Sequence, residues 1–309
     1  MKKWNKEIIQ RIKQLYDDHT YKEIAGIINE EYGLNKTPNA IRKTYQRYSG
    51  GHEIKHTPVK NYSKDDFVFQ NNTDDGKYSN VLVISDMHIP YHHPDMLDFL
   101  KAVKRKYKPD KVICIGDEVD KHAMSFHDSD PDLPSAGDEL QEAIKVLKEV
   151  YKIFPTVDLV DSNHGSMHYR KGKHHGIPRK YLKDYKEILE APEEWNWHND
   201  LRVSCSDGSY VYFHHGLKKK GLPVAQQMGM SFVQGHFHTE YCIDYSSTPE
   251  KLIWNMTVGC LIDDDSLAFA YNKTTLGRPI IGLGVIIDGQ PELVPMILNH
   301  KGRWIGELR

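Results

Sequence analysis

The sequence predicts an α/β layered domain preceded by a small module of three helices. Three observations carry that expectation. The first 50 residues show helical apolar spacing and are rich in Lys and Arg. A polar stretch rich in Gly, Asn and Asp follows. Beyond Asn80, short apolar runs alternate with helical stretches, the pattern of strands joined by crossing helices.

In the first segment, Ile8, Ile9, Ile12 and Leu15 recur at helical spacing, giving a helix that ends near Asp18. Thr20-x-x-Glu23 is a capping box for a second helix, whose buried face is Ile24, Ala25, Ile27 and Ile28 and whose stop is Gly33. Thr37 caps a third helix with Pro38 at its first position, where a missing N–H costs nothing, and this helix runs to about Tyr48. Along it stand Asn39, Arg42, Lys43, Gln46 and Arg47, side chains that read bases or bind phosphates. Residues 1–50 resemble the homeodomain-like or Myb-like helix-turn-helix domains, which implies contact with DNA or RNA. The connection from Glu31 to Thr37 is longer than the tight turn of those domains, and three-helix bundles also serve as protein-interaction modules. Both roles stay open at this point.

Residues 51–79 read as a flexible linker, with few apolar side chains apart from Phe67-Val68-Phe69. The main domain then spans 80–309. Its strand-like runs are 81–85, 111–116, 157–162, 210–215, 230–235, 251–259 and 280–288, with helices around Met96–Tyr107 and over 138–151.

Composition removes several classes of function. With no run of about 18 apolar residues, a membrane span is not expected. The opening MKKWNKEIIQ has lysines without an apolar segment behind them, so a secretory signal is not expected either. Cys114, Cys205, Cys242 and Cys260 form no C-x-x-C pair, which argues against a zinc knuckle or disulfide framework and for a reducing cytoplasm. Net charge is −2, so nucleic-acid binding would have to come from local basic patches.

The chemistry stands at the ends of the apolar runs. The first ends in Asp86-Met87-His88, the second in Asp117 with Asp120 three residues on, and the third in Asn163-His164. Later runs end in His214-His215-Gly216 and in Gly235-His236-Phe237-His238. Open α/β sheets place their sites at the carboxyl ends of strands. Any one of these short motifs is usually a polar strand end, but five in order, each behind an apolar run, point to metal ligands. Carboxylate and amide oxygens mixed with imidazoles suit manganese, iron or zinc, and the number of candidates exceeds what one ion needs.

The series D-x-H, G-D-x-x-D, N-H, H-G and G-H-x-H over residues 81–238 resembles the calcineurin-like metallophosphoesterase superfamily. That resemblance implies a four-layered sandwich of two mixed β-sheets flanked by helices, and two divalent ions, manganese first among them. Asp86, His88, Asp117 and His238 would hold one ion; Asp117 would bridge to the other, held with Asn163, His215 and His236. Between His214 and His215, the position directly before Gly favours His215. Asp120 would support the ligands, and His164 would act on the phosphorus or the leaving oxygen, a structural hydrogen bond being its alternative role.

Two departures qualify the resemblance. Gly165 stands where an acid usually follows the N-H pair, so another group must orient His164; Asp128, Asp130 and Asp132 are candidates, a plain acidic loop the alternative. Lys121-His122 follows Asp120 instead of Arg-Gly, which speaks against a phosphoprotein substrate. Residues 167–186, with Arg170, Lys171 and Lys173, could funnel a polyanion or form a solvated basic helix. The leading expectation is therefore a metal-dependent phosphoesterase on nucleic acid, DNA above all. A phosphoesterase for cyclic nucleotides or other small phosphates, and a DNA-binding regulator on an inert scaffold, are the alternatives. Residue usage and domain pairing resemble proteins of low-GC bacteria and their phages.

Overall fold

The computed structural model describes residues 4–16, 18–48, 72–126, 130–216, 220–269 and 276–308. The chain divides into two compact units, Met1–Asp66 and Phe67–Arg309.

The first unit holds α1 (Lys6–Leu15), α2 (Tyr21–Tyr32) and α3 (Pro38–Tyr48). Asn5 caps α1 by accepting the Ile8 N–H at 2.8 Å, and the helix stops at Leu15, before the expected Asp18. The capping box of α2 forms as the sequence predicts: the Thr20 hydroxyl accepts the Glu23 N–H at 3.3 Å, and the Glu23 carboxylate accepts the Thr20 N–H at 2.8 Å. Gly33 ends it in the left-handed conformation, φ 61°. The Asn29 side chain then closes the connection by donating to the Lys36 carbonyl and accepting the Lys36 N–H. Ile8, Ile12, Leu15, Ile24, Ala25, Ile28 and Ile41 make the core, with Ile27 at its margin. Asn39, Arg42, Lys43, Gln46 and Arg47 are exposed on α3, and Arg42 donates to Asn39 Oδ1.

Residues 51–71 of the expected linker, Phe67-Val68-Phe69 included, lie outside the described residues. Its end is not linker: Thr73–Tyr78 forms a strand, β1. Backbone pairing and polar contacts hold it where apolar side chains do not. It pairs in parallel with β6 (Leu201–Cys205), and the Asp74 carboxylate accepts from the Tyr78 hydroxyl and from Lys111.

The second unit is built on two mixed six-stranded sheets. One contains β2 (Asn80–Ile84), β3 (Lys111–Cys114), β4 (Val157–Val160) and β5 (Trp195–His198), all parallel, extended on the β2 side by antiparallel β11 (Gly282–Ile287) and β12 (Gln290–Pro295). The other runs β1, β6, β7 (Tyr210–His214), β8 (Ser231–Gln234), β10 (Leu252–Thr257), β9 (Cys242–Ser247). Alternation along β2 explains the layering. Val81 and Val83 face Leu201, Val203, Phe213 and Val233 between the sheets, whereas Leu82 and Ile84 face α4 (Met96–Tyr107) and α5 (Ala136–Ile153) through Phe99, Leu100, Val103 and Leu147. The outer face of the second sheet is covered at Tyr212, Phe232 and Ile253 by α8 (Leu222–Met228). Helices, sheet, sheet and helix make the four layers, as expected.

Asp95 precedes α4 without capping it, because its carboxylate is engaged elsewhere. It accepts from Arg303 Nε at 2.8 Å and from the Trp304 N–H at 2.9 Å, while the Trp304 ring meets Phe99 edge-on at 5.5 Å. The Arg303 guanidinium holds the Asp95 carboxyl down at about 2. Because the folded-state value lies below the unfolded one, this pair stabilises fully above about pH 4 and its contribution disappears as pH falls through about 2. Asp95→Asn should therefore lower neutral-pH stability by about 1 kcal/mol. Denaturant titration at successive pH values should show the gap to the native protein narrowing below pH 4; a gap constant with pH would exclude the ion pair as its source.

Candidate metal centre

The strand ends converge where the two sheets meet. Asp86 and His88 follow β2, Asp117 and Asp120 follow β3, Asn163 and His164 follow β4, His215 follows β7, and His236 and His238 follow β8. Asp86 (φ 50°), His88 (φ 47°), Asp117 (φ 51°) and His236 (φ 69°) all adopt the left-handed conformation. Residues other than Gly rarely do so, Asp and His more readily than most, and such turns cluster where side chains must be aimed. Gly235 makes the approach of the sheets possible: a Cβ there would lie 2.0 Å from Ser85 Oγ and 2.5 Å from Asp86 Oδ2.

Among the described residues, ligand-type atoms gather in two groups drawn from the expected ligands, Asp86–His88–His238 and Asp117–His215–His236, and in a third, His88–Asp120–His164, that shares His88 with the first. His238 Nε2 lies 3.0 Å from Asp86 Oδ1. His215 Nε2 lies 3.1 Å from Asp117 Oδ2, 2.7 Å from Asn163 Oδ1 and 3.2 Å from His236 Nδ1. Asp117 Oδ2 is also 3.6 Å from His88 Nε2, so one carboxylate oxygen serves both groups. His214 turns away, its Nδ1 accepting the Gly216 N–H at 3.1 Å.

Hydrogen bonds fix the imidazoles with their free nitrogens inward. The Nδ1–H of His215 donates to the Ile115 carbonyl at 2.9 Å, and that of His88 to Asp120 Oδ1 at 2.5 Å. His88 Nε2 is then buried with no hydrogen-bond partner among the described residues. An orphaned lone pair facing two carboxylates is untenable without a positive charge between them. The protein alone supplies that charge as protons. Burial disfavours imidazolium at His215, yet Asp117 raises it to about 9. Burial likewise opposes charge on His88, but the Asp120 and Asp86 carboxylates raise it well above the usual value. Burial works against ionisation of Asp86 too, and the bond from His238 with the neighbouring His88 ring overcomes it, holding the carboxyl well below the carboxylate range. The orphaned nitrogen, the shared oxygen and the mixed oxygen and imidazole donors fit a pair of divalent ions in place of those protons.

His164 lies beside this cluster. Its Nδ1–H donates to the Asp120 carbonyl, and its Nε2 stands 4.0 Å from Asp117 Oδ2. Asp130 and Asp132 are engaged elsewhere, Asp130 donating its N–H to His122 Nε2 and accepting the Asp132 N–H at Oδ1, and Asp128 lies outside the described residues. Asp120 orients His164 through its main chain. Sequence reading also misses Ser162 and Lys121. The Ser162 hydroxyl accepts the N–H groups of Asp117 at 3.0 Å and Gly165 at 2.9 Å. Lys121 is buried at 6% exposure, over the Tyr185 ring, with its Nζ donating to the carbonyls of His164 at 2.7 Å and Gly165 at 2.9 Å. Burial lowers its pKa to about 8. Only the departure from the usual residues after Asp120 and Asn163-His164 marked this region. Of the basic residues of α6 (Met167–His174), Arg170 donates to the Asn163 carbonyl at 3.2 Å, Lys171 lies over the exposed Phe126 ring at 4.3 Å, and Lys173 is exposed.

Gly235→Ala should displace Asp86 and His236, leaving fewer divalent ions per purified chain by elemental analysis while circular dichroism stays native; an undiminished ion count would refute the crowding argument. Lys121→Met should keep the metal content and lower kcat about 10- to 100-fold.

A family model described as calcineurin-like phosphoesterase matches residues 79–250. The Gene 54 protein of Mycobacterium phage D29 is 24% identical over 244 residues, covering 70% of this chain and 93% of that protein. Vacuolar Protein Sorting 29 from Cryptosporidium parvum is similar in structure at a TM-score of 0.39 and 16% identity, over 75% of this chain and 95% of that one. A putative diadenosine tetraphosphatase aligns at a TM-score of 0.34 and 15% identity, over 72% and 96%. With more than half its length matched by that family model, and the family's motifs gathered at one end of two facing sheets, the chain belongs to the calcineurin-like phosphoesterases.

Proposed function

We propose that this chain is a two-metal phosphodiester hydrolase acting on nucleic acid, DNA in the first place. The observation that carries the reading is the convergence on Asp117 Oδ2 of two ligand groups, one containing the unpartnered His88 Nε2. Asp86, His88, Asp117 and His238 would hold one ion, and Asp117, Asn163, His215 and His236 the second. The mixed oxygen and imidazole donors suit manganese, iron or zinc, of which manganese is our choice. Such a pair, when bound, supplies a hydroxide nucleophile at neutral pH and offsets charge on the phosphate oxygens.

The remaining work falls to side chains. With Nδ1 locked on the Asp120 carbonyl, His164 presents Nε2 to the cluster. Burial keeps its imidazole neutral more readily than usual, and an incoming phosphate dianion or diester counteracts that burial by favouring the charged form. A proton at Nε2 can then pass to the leaving oxygen. Lys121 holds the backbone on either side of this step.

Nucleic acid as substrate is supported by the exposed Asn39, Arg42, Lys43, Gln46 and Arg47 on α3 and by Arg170, Lys171 and Lys173 on α6. A tethered recognition module would raise the local concentration of the hydrolase on its target. A second reading, a small-phosphoester hydrolase, draws on the hollow of about 810 Å³ lined by Asn163, His215 and His236, within the size range of small-ligand sites. The complete donor set speaks against an inert scaffold. No helix among the described residues is long and apolar enough to cross a membrane, and four free cysteines suit the cytoplasm of our reading.

The test is manganese-dependent hydrolysis of single- and double-stranded DNA beside bis-p-nitrophenyl phosphate, with His164→Ala as control. DNA cleavage lost in the control is the expected result; turnover of the small diester with intact DNA would transfer support to the second reading. Asp117→Asn and His236→Ala should abolish turnover and retain DNA binding. Arg42→Ala combined with Arg47→Ala should weaken DNA binding about tenfold and spare small-diester turnover; unchanged affinity would remove α3 from the interface.

A further inference from the structure

A second and larger cleft opens beside the metal centre. It has a volume of about 1020 Å³ and lies among α6, the 3-10 turn Arg179–Tyr181, α7 (Tyr185–Ile188) and the end of β5. Asp161, Ser166 and Asn199 line both this cleft and the hollow at the metal ligands, so the two are continuous around the Asn163-His164 loop. Its wall carries Arg179, Lys180, Lys183 and Lys186 against the carboxylates of Asp161 and Asp184. Asp184 is occupied as the cap of α7, where it accepts the Lys186 N–H at 3.1 Å. Lys183 pairs with Glu187 at 3.0 Å, both side chains well exposed, a contact weak enough to exchange for a phosphate.

Aromatic surface accompanies the cations. Tyr169 and Trp197 line the cleft, with the Arg179 guanidinium 5.5 Å from the Tyr169 ring. Tyr181, next to Lys180 on the turn, is 72% exposed. The wall is firmly built: a Cβ at Gly172 of α6 would come within 2.8 Å of Leu182, so helix and turn are in close contact.

We infer that this cleft is a binding subsite for single-stranded polynucleotide running on from the phosphate at the metal centre, an inference that rests on the phosphoesterase reading above. Cations interleaved with aromatic rings hold a sugar-phosphate chain while its bases stack. A duplex keeps its base faces within its own stack and offers none to Tyr169 or Trp197. A mononucleotide at the metal ligands fits the smaller hollow and leaves the larger cleft unused; a strand continuing past the scissile phosphate occupies both.

The experiment uses the full chain with manganese, a series of oligodeoxynucleotides from two to eight residues, the matching oligoribonucleotides, a duplex, and bis-p-nitrophenyl phosphate. In the native protein kcat/KM should rise with strand length, in DNA, RNA or both, and exceed that for duplex. Arg179→Ala combined with Lys180→Ala should flatten the length dependence through KM, leave small-diester turnover within about twofold, and reduce the slope of log KM against log salt by about 1.4, two single-strand phosphate contacts. Length dependence unchanged in the variant, or a preference for duplex, would overturn the subsite while the phosphoesterase assignment stands. Hydrolysis of the small diester without any gain from added nucleotides would do the same. Failure to hydrolyse any substrate would remove both.

Discussion

The organisation of this protein turns on one buried carboxylate oxygen, Asp117 Oδ2. It faces imidazoles that reach it from β2 and β7, strands belonging to different sheets. Around it the chain packs carboxylates, an amide oxygen and ring nitrogens closer than their mutual repulsion permits without cations. In the protein alone, protons on His215 and His88 supply that charge. Imidazoles whose Nδ1–H groups are fixed outward, on Ile115 or Asp120, present Nε2 to the pocket in the arrangement that exchange of those protons for metal ions requires.

The two-sheet core is what allows such a site to be held. Val81 and Val83 on one sheet and Val203, Phe213 and Val233 on the other form an apolar layer directly below the strand ends. The same strands then turn through left-handed residues into the polar cluster. Apolar packing sets the strand spacing, glycines at 116, 216 and 235 permit the close approach of neighbouring loops, and the clustered Asp, Asn and His side chains are carried on those loops.

Much of this was legible in the sequence, and the reasons for success and failure are physical. β2 and β3 are apolar on both faces because each lies between layers, so they read as continuous runs. Helix α2 announced itself through both halves of its capping box. β1 and β9 escaped notice because they are sheet edges with polar, partly exposed side chains, held by backbone pairing that leaves no apolar pattern. β5, with Trp-Asn-Trp-His, buries one tryptophan and half-buries the other, too short a run to stand out. The clustered Asp, Asn and His residues were visible since each stands shortly after a strand. Lys121 and Ser162 were not, because they act through backbone carbonyls and N–H groups to which sequence motifs are blind.

Asp120 serves two imidazoles by different means, its carboxylate holding His88 and its main-chain carbonyl holding His164. A side-chain anchor can be lost in a single substitution; a carbonyl is present whatever residue occupies the position. The orientation of His164 is thereby insulated from mutation at the residue that anchors it, and the position after His164 is released from carrying an acid. Gly165 can then fit where an added Cβ would stand 3.0 Å from both Asp161 Oδ1 and Ser162 Oγ. The chain keeps a tight loop there because the backbone has taken over a task that a carboxylate would otherwise perform.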